Sequence, residues 1–210
     1  LLYESWCFIM TKTYFMRIYN LIIYLFIYAL FVLLFGGLFH FLSTLLSMID
    51  ILNLTRIIYY INLPTNILLK LSISLVIIAC LLIVIDIIKR MIKDSIWNHF
   101  KSVYYTISFR HFLAQSDMTE DTSYWDKSDN TKHNPITQNF NKAIKKCVVD
   151  VHKDKVRIFI KVPRMQQAQK LLKAMESDIK EEISSRHPEY YFSSPQRIRS
   201  HIWYEGQKRN

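Results

Sequence analysis

Basic and aromatic side chains recur at alternate positions in two segments of the second half of the chain. In an extended strand, residues two apart point to the same side, so residues 156–162 and 197–205 each present such a row. Lysine and arginine contact phosphates, and aromatic rings stack on bases. The pattern predicts a ligand-binding or nucleic-acid-binding sheet face built from Arg157, Phe159, Lys161, Arg197, Arg199, His201 and Trp203.

Two alternatives remain open for this face. It is equally typical of an ordinary solvated surface, or of one packed on a neighbouring helix or on anionic lipid. The binding hypothesis also requires the two strands to be neighbours, and the alternation does not give the order of strands in the sheet.

The other reactive side chains do not form a catalytic or metal-binding pattern. The cysteines Cys7, Cys80 and Cys147 lack metal-ligand spacing, and no two of the seven histidines stand three or four residues apart. Three glycines cannot build a phosphate-binding loop. Asp150 is typical of a turn-flanking residue and Glu181–Glu182 of a solvated helix face. The sequence therefore predicts no enzyme, no metal site and no cofactor, and Cys147 is expected to be a small core residue.

The elements that carry the predicted face form a small α+β domain over residues 135–210. Apolar residues repeat at helical spacing after Pro135, and strict alternation marks two strands joined by a polar turn at 152–155. The expected order is α-β-β-α-β: a helix at 135–147, strands at 148–151 and 156–162, one long helix from Pro163 to Arg186, and a strand at 197–205. This predicts a short antiparallel sheet with one long covering helix.

Residues 94–134 connect this domain to the first part of the chain. One helical face collects Ile96, Phe100, Val103, Tyr104 and Ile107, which predicts a juxtamembrane helix; a strand at 103–109 is the alternative. Residues 116–134 are rich in Asp, Ser, Thr and Asn, and we expect a linker there.

The first part of the chain is strongly apolar. Residues 18–49 contain no charged side chain, and a second apolar run follows at 67–88. About 20 apolar residues span a bilayer as a helix, so we expect spans at 18–46 and 67–88 within a membrane hairpin over residues 1–93. The segment 50–66 is expected to connect the spans in the headgroup region. The chain begins with Leu1, and a start at Met10 leaves both spans intact.

The charge distribution gives the expected orientation. Residues 89–210 hold 23 of the 27 basic and 14 of the 17 acidic side chains. Lys12 and Arg17 precede the first span, and Lys89, Arg90 and Lys93 follow the second. By the positive-inside rule, a multi-pass protein with two spans and both termini in the cytoplasm is predicted, which makes residues 135–210 a basic cytosolic domain.

The leading hypothesis is a non-enzymatic, membrane-anchored adaptor. Its basic domain binds nucleic acid or a protein partner, and its arrangement is analogous to accessory proteins of bacterial mobile elements. The alternative is a membrane-disrupting effector gated by a nucleotide on the cytosolic domain, with the hairpins assembling into a homo-oligomer. The expected partners are the lipid bilayer, single-stranded nucleic acid or a nucleotide, and further copies of the chain through the spans. A membrane-bound hydrolase is a weaker third alternative, because no acid–base pair can be placed.

Overall fold

The computed structural model describes residues 12–48, 55–115 and 134–209. The chain divides into two compact units, one made of residues 17–89 and the other of residues 1–16 together with 90–210. Nearly all of the predicted linker at 116–134 lies outside the described residues, so that prediction stays open. The predicted boundaries at 93 and 134 likewise stay predictions.

The first unit is formed by most of two long helices, α1 (Tyr14–Met48) and α2 (Thr55–Lys93); the first three residues of α1 and the last four of α2 belong to the second unit. They run antiparallel, since Ala29 of α1 accepts a hydrogen bond from the Ser72 hydroxyl at 3.0 Å, and Ser43 donates to Asn62 at 2.8 Å. A Cβ at Gly36 would lie 3.4 Å from that of Leu68. Small residues thus let the two backbones approach closely, as they do between membrane helices.

Both helices are long and apolar enough to span a membrane, as the sequence predicted. Only 11% and 17% of their most apolar windows are buried, which differs from the mostly buried core helix of a soluble protein. The predicted connector at 50–66 is helical from Thr55, where α2 begins, and includes Pro64; residues 50–54 lie outside the described residues, and the place of the connector in the headgroup region stays a prediction. Proline is tolerated in a membrane helix when neighbouring groups satisfy the freed backbone.

The second unit contains a five-stranded antiparallel sheet. Its strands are β1 (Val148–Val151), β2 (Lys155–Lys161), β3 (Tyr190–Phe192), β4 (Gln196–Ile198) and β5 (His201–Lys208). The order is β1-β2-β5-β3, and β4 also pairs with β5. Among the described residues, four complete helices belong to this unit: α3 (Ile96–Leu113), α4 (Pro135–Ile144), α5 (Gln166–Ala174) and α6 (Glu176–Arg186). The coarse prediction, two apolar helices followed by a small antiparallel sheet with helices, is confirmed.

The core lies between one face of this sheet and the helices. The aliphatic side chains of β2 point into it as the alternation predicted, and Cys147 is fully buried there. Burial raises the pKa of the Cys147 thiol to about 12, so the residue behaves as a small apolar side chain. The core consists of Phe109, Leu113, Phe140, Ile144, Cys147, Val149, Val151, Val156, Ile158, Ile160, Ala168, Leu172, Ile179, Ile183 and Tyr204.

Helix α3 covers the outer edge of β1, which is an end strand of the sheet. The Thr106 hydroxyl accepts a hydrogen bond from the Val149 amide at 3.0 Å and donates to the Val149 carbonyl at 3.1 Å. The Ser102 hydroxyl accepts from the Val151 amide at 2.9 Å. An exposed strand edge invites pairing with another chain, and these hydroxyls satisfy its backbone instead.

Two predicted elements of the domain are wrong in detail. The single long helix is two helices, α5 and α6, which meet at Met175, whose ψ of 3° departs from helical geometry. The single strand at 197–205 is a hairpin: β4 and β5 pair, and Arg199 between them has a φ of 55°. Strand β3 was not predicted. The predicted helix at 94–112 is present as α3, and the alternative strand is not.

Candidate functional site

The sheet face opposite the core collects five of the seven predicted binding residues. Strands β2 and β5 are antiparallel neighbours, so Phe159 lies opposite Trp203, and Lys161 lies opposite His201. Arg157 belongs to the same row of β2. The requirement that the two strands be adjacent is therefore met for these five, whereas their role in binding stays a prediction.

The aromatic rings on this face are covered. Phe159 and Trp203 are 3% and 4% exposed, and their ring centroids are 5.1 Å apart in an edge-to-face contact. The Lys12 ammonium lies 3.9 Å from the centroid of the Phe159 ring. Base stacking requires a free ring face. These two rings therefore pack against each other and are covered, so they do not offer a stacking platform.

Arg157 is engaged as well. Its Nε donates to Oε1 of Glu205 at 2.9 Å, and the side chain is one-tenth exposed. Glu205 lies directly opposite Arg157 on β5, where opposite charges stabilise a strand pair. The charge of Arg157 is thus largely neutralised within the sheet.

Arg197 and Arg199 are not part of this face. Arg197 lies opposite Ile202, on the side of the sheet that carries helix α5, and its guanidinium donates to Gln169 at 3.2 Å. Arg199 occupies the two-residue turn with Ser200. Because this turn reverses the chain, Arg197 and Arg199 do not continue the row that contains His201 and Trp203.

Four cations converge at the end of β2 around a recess of about 240 Å³. They are Lys142 of α4, Lys146 in the turn after α4, Lys161 of β2, and Arg164 in the turn that follows β2. Asn139 shapes the recess, because its side-chain oxygen accepts the amide of Arg164 at 3.1 Å. We call Lys142, Lys146, Lys161 and Arg164 the basic patch.

The basic patch lacks a counter-charge in the described part of the chain, where no ion pair involves any of its four members. Burial lowers the pKa of Lys161, and the charges of Lys146 and Arg164 lower it further. His201 lies opposite Lys161 on β5, and burial and the charges of Lys12 and Lys161 lower its pKa. Clustered cations that repel one another are relieved by an anion, so the patch suits a ligand that carries phosphates.

A second polar constellation lies buried at the other end of the sheet. Nη2 of Arg90 donates to Oδ1 of Asp150 at 2.5 Å, and Nη1 donates to the Val151 carbonyl at 3.1 Å. Arg90 is 4% exposed and Asp150 is fully buried. His152 joins Asp150 to Asp94, with Nε2 3.1 Å from Oδ2 of Asp150 and Nδ1 2.9 Å from Oδ2 of Asp94. We call Arg90, Asp94, Asp150 and His152 the charge network.

The charge network is suited to holding structure and not to proton transfer. Burial alone would lower the pKa of His152, but the hydrogen bond and charge of Asp150, with the charge of Asp94, outweigh it and raise the pKa. Burial alone would likewise raise the pKa of Asp150, but His152 and Arg90 lower it. Both ring nitrogens of His152 are occupied by carboxylates, whereas a general base needs a free lone pair facing its substrate.

The raised pKa of His152 predicts a loss of stability at alkaline pH. Its protonated form stabilises the fold; this contribution is complete below pH 6.5 and is lost as the pH rises through the raised value. Without this imidazole, the free energy of unfolding should fall less as the pH rises above 6.5. We therefore expect a flatter stability profile for His152→Gln than for the wild type in urea titrations at a series of pH values. His201→Gln is the control. The pKa of His201 is lowered, so its titration changes the free energy of unfolding only below pH 6.5. Parallel profiles for His152→Gln and the wild type would contradict this role.

A cavity of about 400 Å³ lies between the core face of the sheet and α5. Its lining combines the apolar side chains of Ile160, Ile202 and Tyr204 with the cations Lys170, Lys173 and Arg197 and one carboxylate, Glu176. The cavity is large enough for a small ligand with an apolar body and an anionic group.

Sequence reasoning found only Lys161 of the basic patch, and it missed the charge network. Lys142 and Lys146 stand one helical turn apart, a weak signal of a basic helix edge, but only the packing of α4 beside β2 brings them to Lys161. Asp150 was expected to be turn-flanking and is fully buried, and its partner Arg90 lies 60 residues away. In the described residues no three Cys, His, Asp or Glu side chains are grouped to hold a metal ion.

Comparison with protein-family models, with curated proteins and with solved structures finds no match for this chain.

Proposed function

We propose that the chain is a membrane-anchored binding module in which the α1–α2 hairpin spans the bilayer and the sheet domain binds nucleic acid on the cytoplasmic side. The hairpin proposal is supported by the length, apolarity and low burial of both helices. The positive-inside rule supports the orientation, since Lys12 and Arg17 precede α1's apolar run and basic residues follow that of α2.

The observation that carries the binding proposal is the basic patch, four cations around one recess without an ion-pair partner among the described residues. Because Phe159 and Trp203 are buried, binding rests on phosphate contacts and not on base stacking. Such binding is insensitive to base sequence and weakens steeply with salt, since each neutralised phosphate releases counterions.

The test is a salt titration of the full-length protein in nonionic detergent with a fluorescent single-stranded DNA. We expect Lys146→Gln/Arg164→Gln to reduce the slope of log affinity against log salt by about 1.4, because each lost contact with a single strand contributes about 0.7. At low salt the affinity should fall by about tenfold or more. The measurement is fluorescence anisotropy.

The matched control is Lys208→Gln/Arg209→Gln, which likewise removes one lysine and one arginine, from exposed positions at the end of β5 opposite to the end that pairs with Lys161. It should leave the slope unchanged. No binding by the wild type, or equal losses for the two double variants, would contradict the proposal. Binding to anionic vesicles without binding to DNA would assign the patch to lipid.

The cavity above Ile202 favours one alternative, a membrane-disrupting effector gated by a nucleotide. Its apolar side chains and the cations Lys170, Lys173 and Arg197 suit a small molecule with a ring and a phosphate. Salt-tolerant binding of one small nucleotide, together with dye leakage from vesicles on its addition, would favour this alternative over the binding module.

A further inference from the structure

The exposed face of α3 is apolar, and its buried face is partly polar. On the buried side, Ser102 and Thr106 are fully buried and bond to the backbone edge of β1. One turn further along, Nε of Arg110 donates to the Cys147 carbonyl at 2.7 Å. A surface helix of a soluble domain normally shows the opposite arrangement, with apolar residues inside and polar residues in water.

The outward side of α3 carries large side chains that the domain leaves uncovered. Trp97, Phe100, Tyr104 and Ile107 are 66%, 58%, 65% and 59% exposed. Their spacing of three and four residues places them on one continuous face, with Lys101 also exposed at its border. Contiguous apolar surface of this kind marks contact with a membrane or a protein.

The position and composition of this face favour lipid. Helix α3 begins at Ile96, three residues after α2 ends at Lys93, so the chain cannot carry Trp97 far from the end of that apolar helix. Tryptophan and tyrosine prefer the membrane–water interface, where the ring is apolar and the polar atom stays hydrated. Lys101 can extend from the border of the face toward anionic headgroups.

We propose that α3 lies in the bilayer interface, with Trp97, Phe100, Tyr104 and Ile107 inserted among the lipids and Ser102 and Thr106 holding the edge of β1. This inference rests on the proposed function, because it takes α2 as a membrane span. Helix α3 is then the element that joins the sheet domain to the lipid surface: one face binds lipid and the opposite face completes the sheet.

The test places a nitroxide spin label at single cysteines in the full-length protein reconstituted into phospholipid vesicles. Cys7 and Cys80 are replaced by Ala, and Cys147 is left because it is fully buried. We expect the label at Tyr104→Cys to collide readily with oxygen, which concentrates in lipid, and to be protected from a water-soluble nickel complex. The label at Ser184→Cys, an exposed position of α6, should show the reverse.

A third label separates failure of this inference from failure of the proposed anchor. Leu34 is 61% exposed near the middle of α1, so Leu34→Cys reports whether the hairpin is inserted. Lipid exposure at Leu34→Cys with nickel access at Tyr104→Cys would overturn the inference alone. Nickel access at both would overturn the anchor as well. Protection of Tyr104→Cys from both reagents would assign the face to a second copy of the chain and overturn the inference.

Discussion

Arg90→Met should lower the free energy of unfolding of the sheet domain by about 3–5 kcal/mol, the largest effect that we expect from a single substitution. Methionine replaces the aliphatic stem of Arg90 but lacks the guanidinium. The fully buried carboxylate of Asp150 is then left without that partner. It also removes the bond to the Val151 carbonyl. Breaking one side of a buried pair costs far more than the pair contributes, because the remaining charge stays out of water.

The measurement is urea unfolding of the full-length protein in nonionic detergent, with the other three tryptophans replaced by Phe so that the fluorescence reports Trp203, which is buried in this domain. The control is Lys180→Met, the same chemical change in the Lys180–Glu176 pair, whose side chains are 50% and 41% exposed. An exposed pair contributes less than about 1 kcal/mol. Equal losses for the two variants would show that the charge network does not hold the domain together.

Thr106→Val is expected to cost about 2–4 kcal/mol although it nearly preserves the shape of the side chain. The Thr106 hydroxyl satisfies both the amide and the carbonyl of Val149, and valine leaves these two buried groups unpaired. An unsatisfied buried group costs about 1–3 kcal/mol, and we expect about 1–2 kcal/mol for each of these two backbone groups. Exposing an unpaired strand edge should also increase self-association.

Thr106→Ser provides the matched control, since it keeps the hydroxyl and removes only a methyl group. It should retain most of the stability in the same urea titration, and size-exclusion chromatography should show no added association. A loss as large for serine as for valine would mean that Thr106 acts through packing and not through the edge of β1.

The local patterns of the domain were readable from the sequence. The period-two alternation of β2 places Ile158 and Ile160 in the core, as predicted. The helix after Pro135 starts where it was predicted and ends at Ile144 instead of residue 147; Asn134 caps its start by accepting the amide of Ile136, and proline fits the first turn. These features depend on neighbours a few residues apart, and the sequence displays such relations directly.

Two predicted elements, the strand at 197–205 and the helix from Pro163 to Arg186, are interrupted in the structure. Neither interruption carries the residues that normally mark a turn in a sequence. A hairpin turn with positive φ normally uses glycine or asparagine, and here Arg199 adopts that conformation, so alternation through residues 197–205 resembles one strand. Leu172 and Ile179 are seven residues apart, a spacing that one continuous helix also satisfies. The break at Met175 therefore leaves no mark on the apolar pattern.

The contacts that define the candidate sites depend on distant parts of the chain. The apolar face of α3 is visible in the sequence, but only the fold shows that it points outward, because Ser102 and Thr106 are needed against β1. The covering of Phe159 by Lys12 joins residues 147 positions apart. No local sequence pattern encodes such pairs. The sequence therefore predicted a face for base stacking, whereas the fold covers Phe159 and Trp203 and gathers cations in the basic patch.

The central claim is that a membrane-inserted hairpin carries a domain that binds nucleic acid. It is tested most directly by flotation of vesicles that contain the full-length protein, together with labelled single-stranded DNA. The account predicts that DNA floats with the vesicles at low salt, remains behind at high salt, and is not recruited by Lys146→Gln/Arg164→Gln. Vesicles of neutral lipid that retain the protein but recruit no DNA at any salt concentration would contradict it.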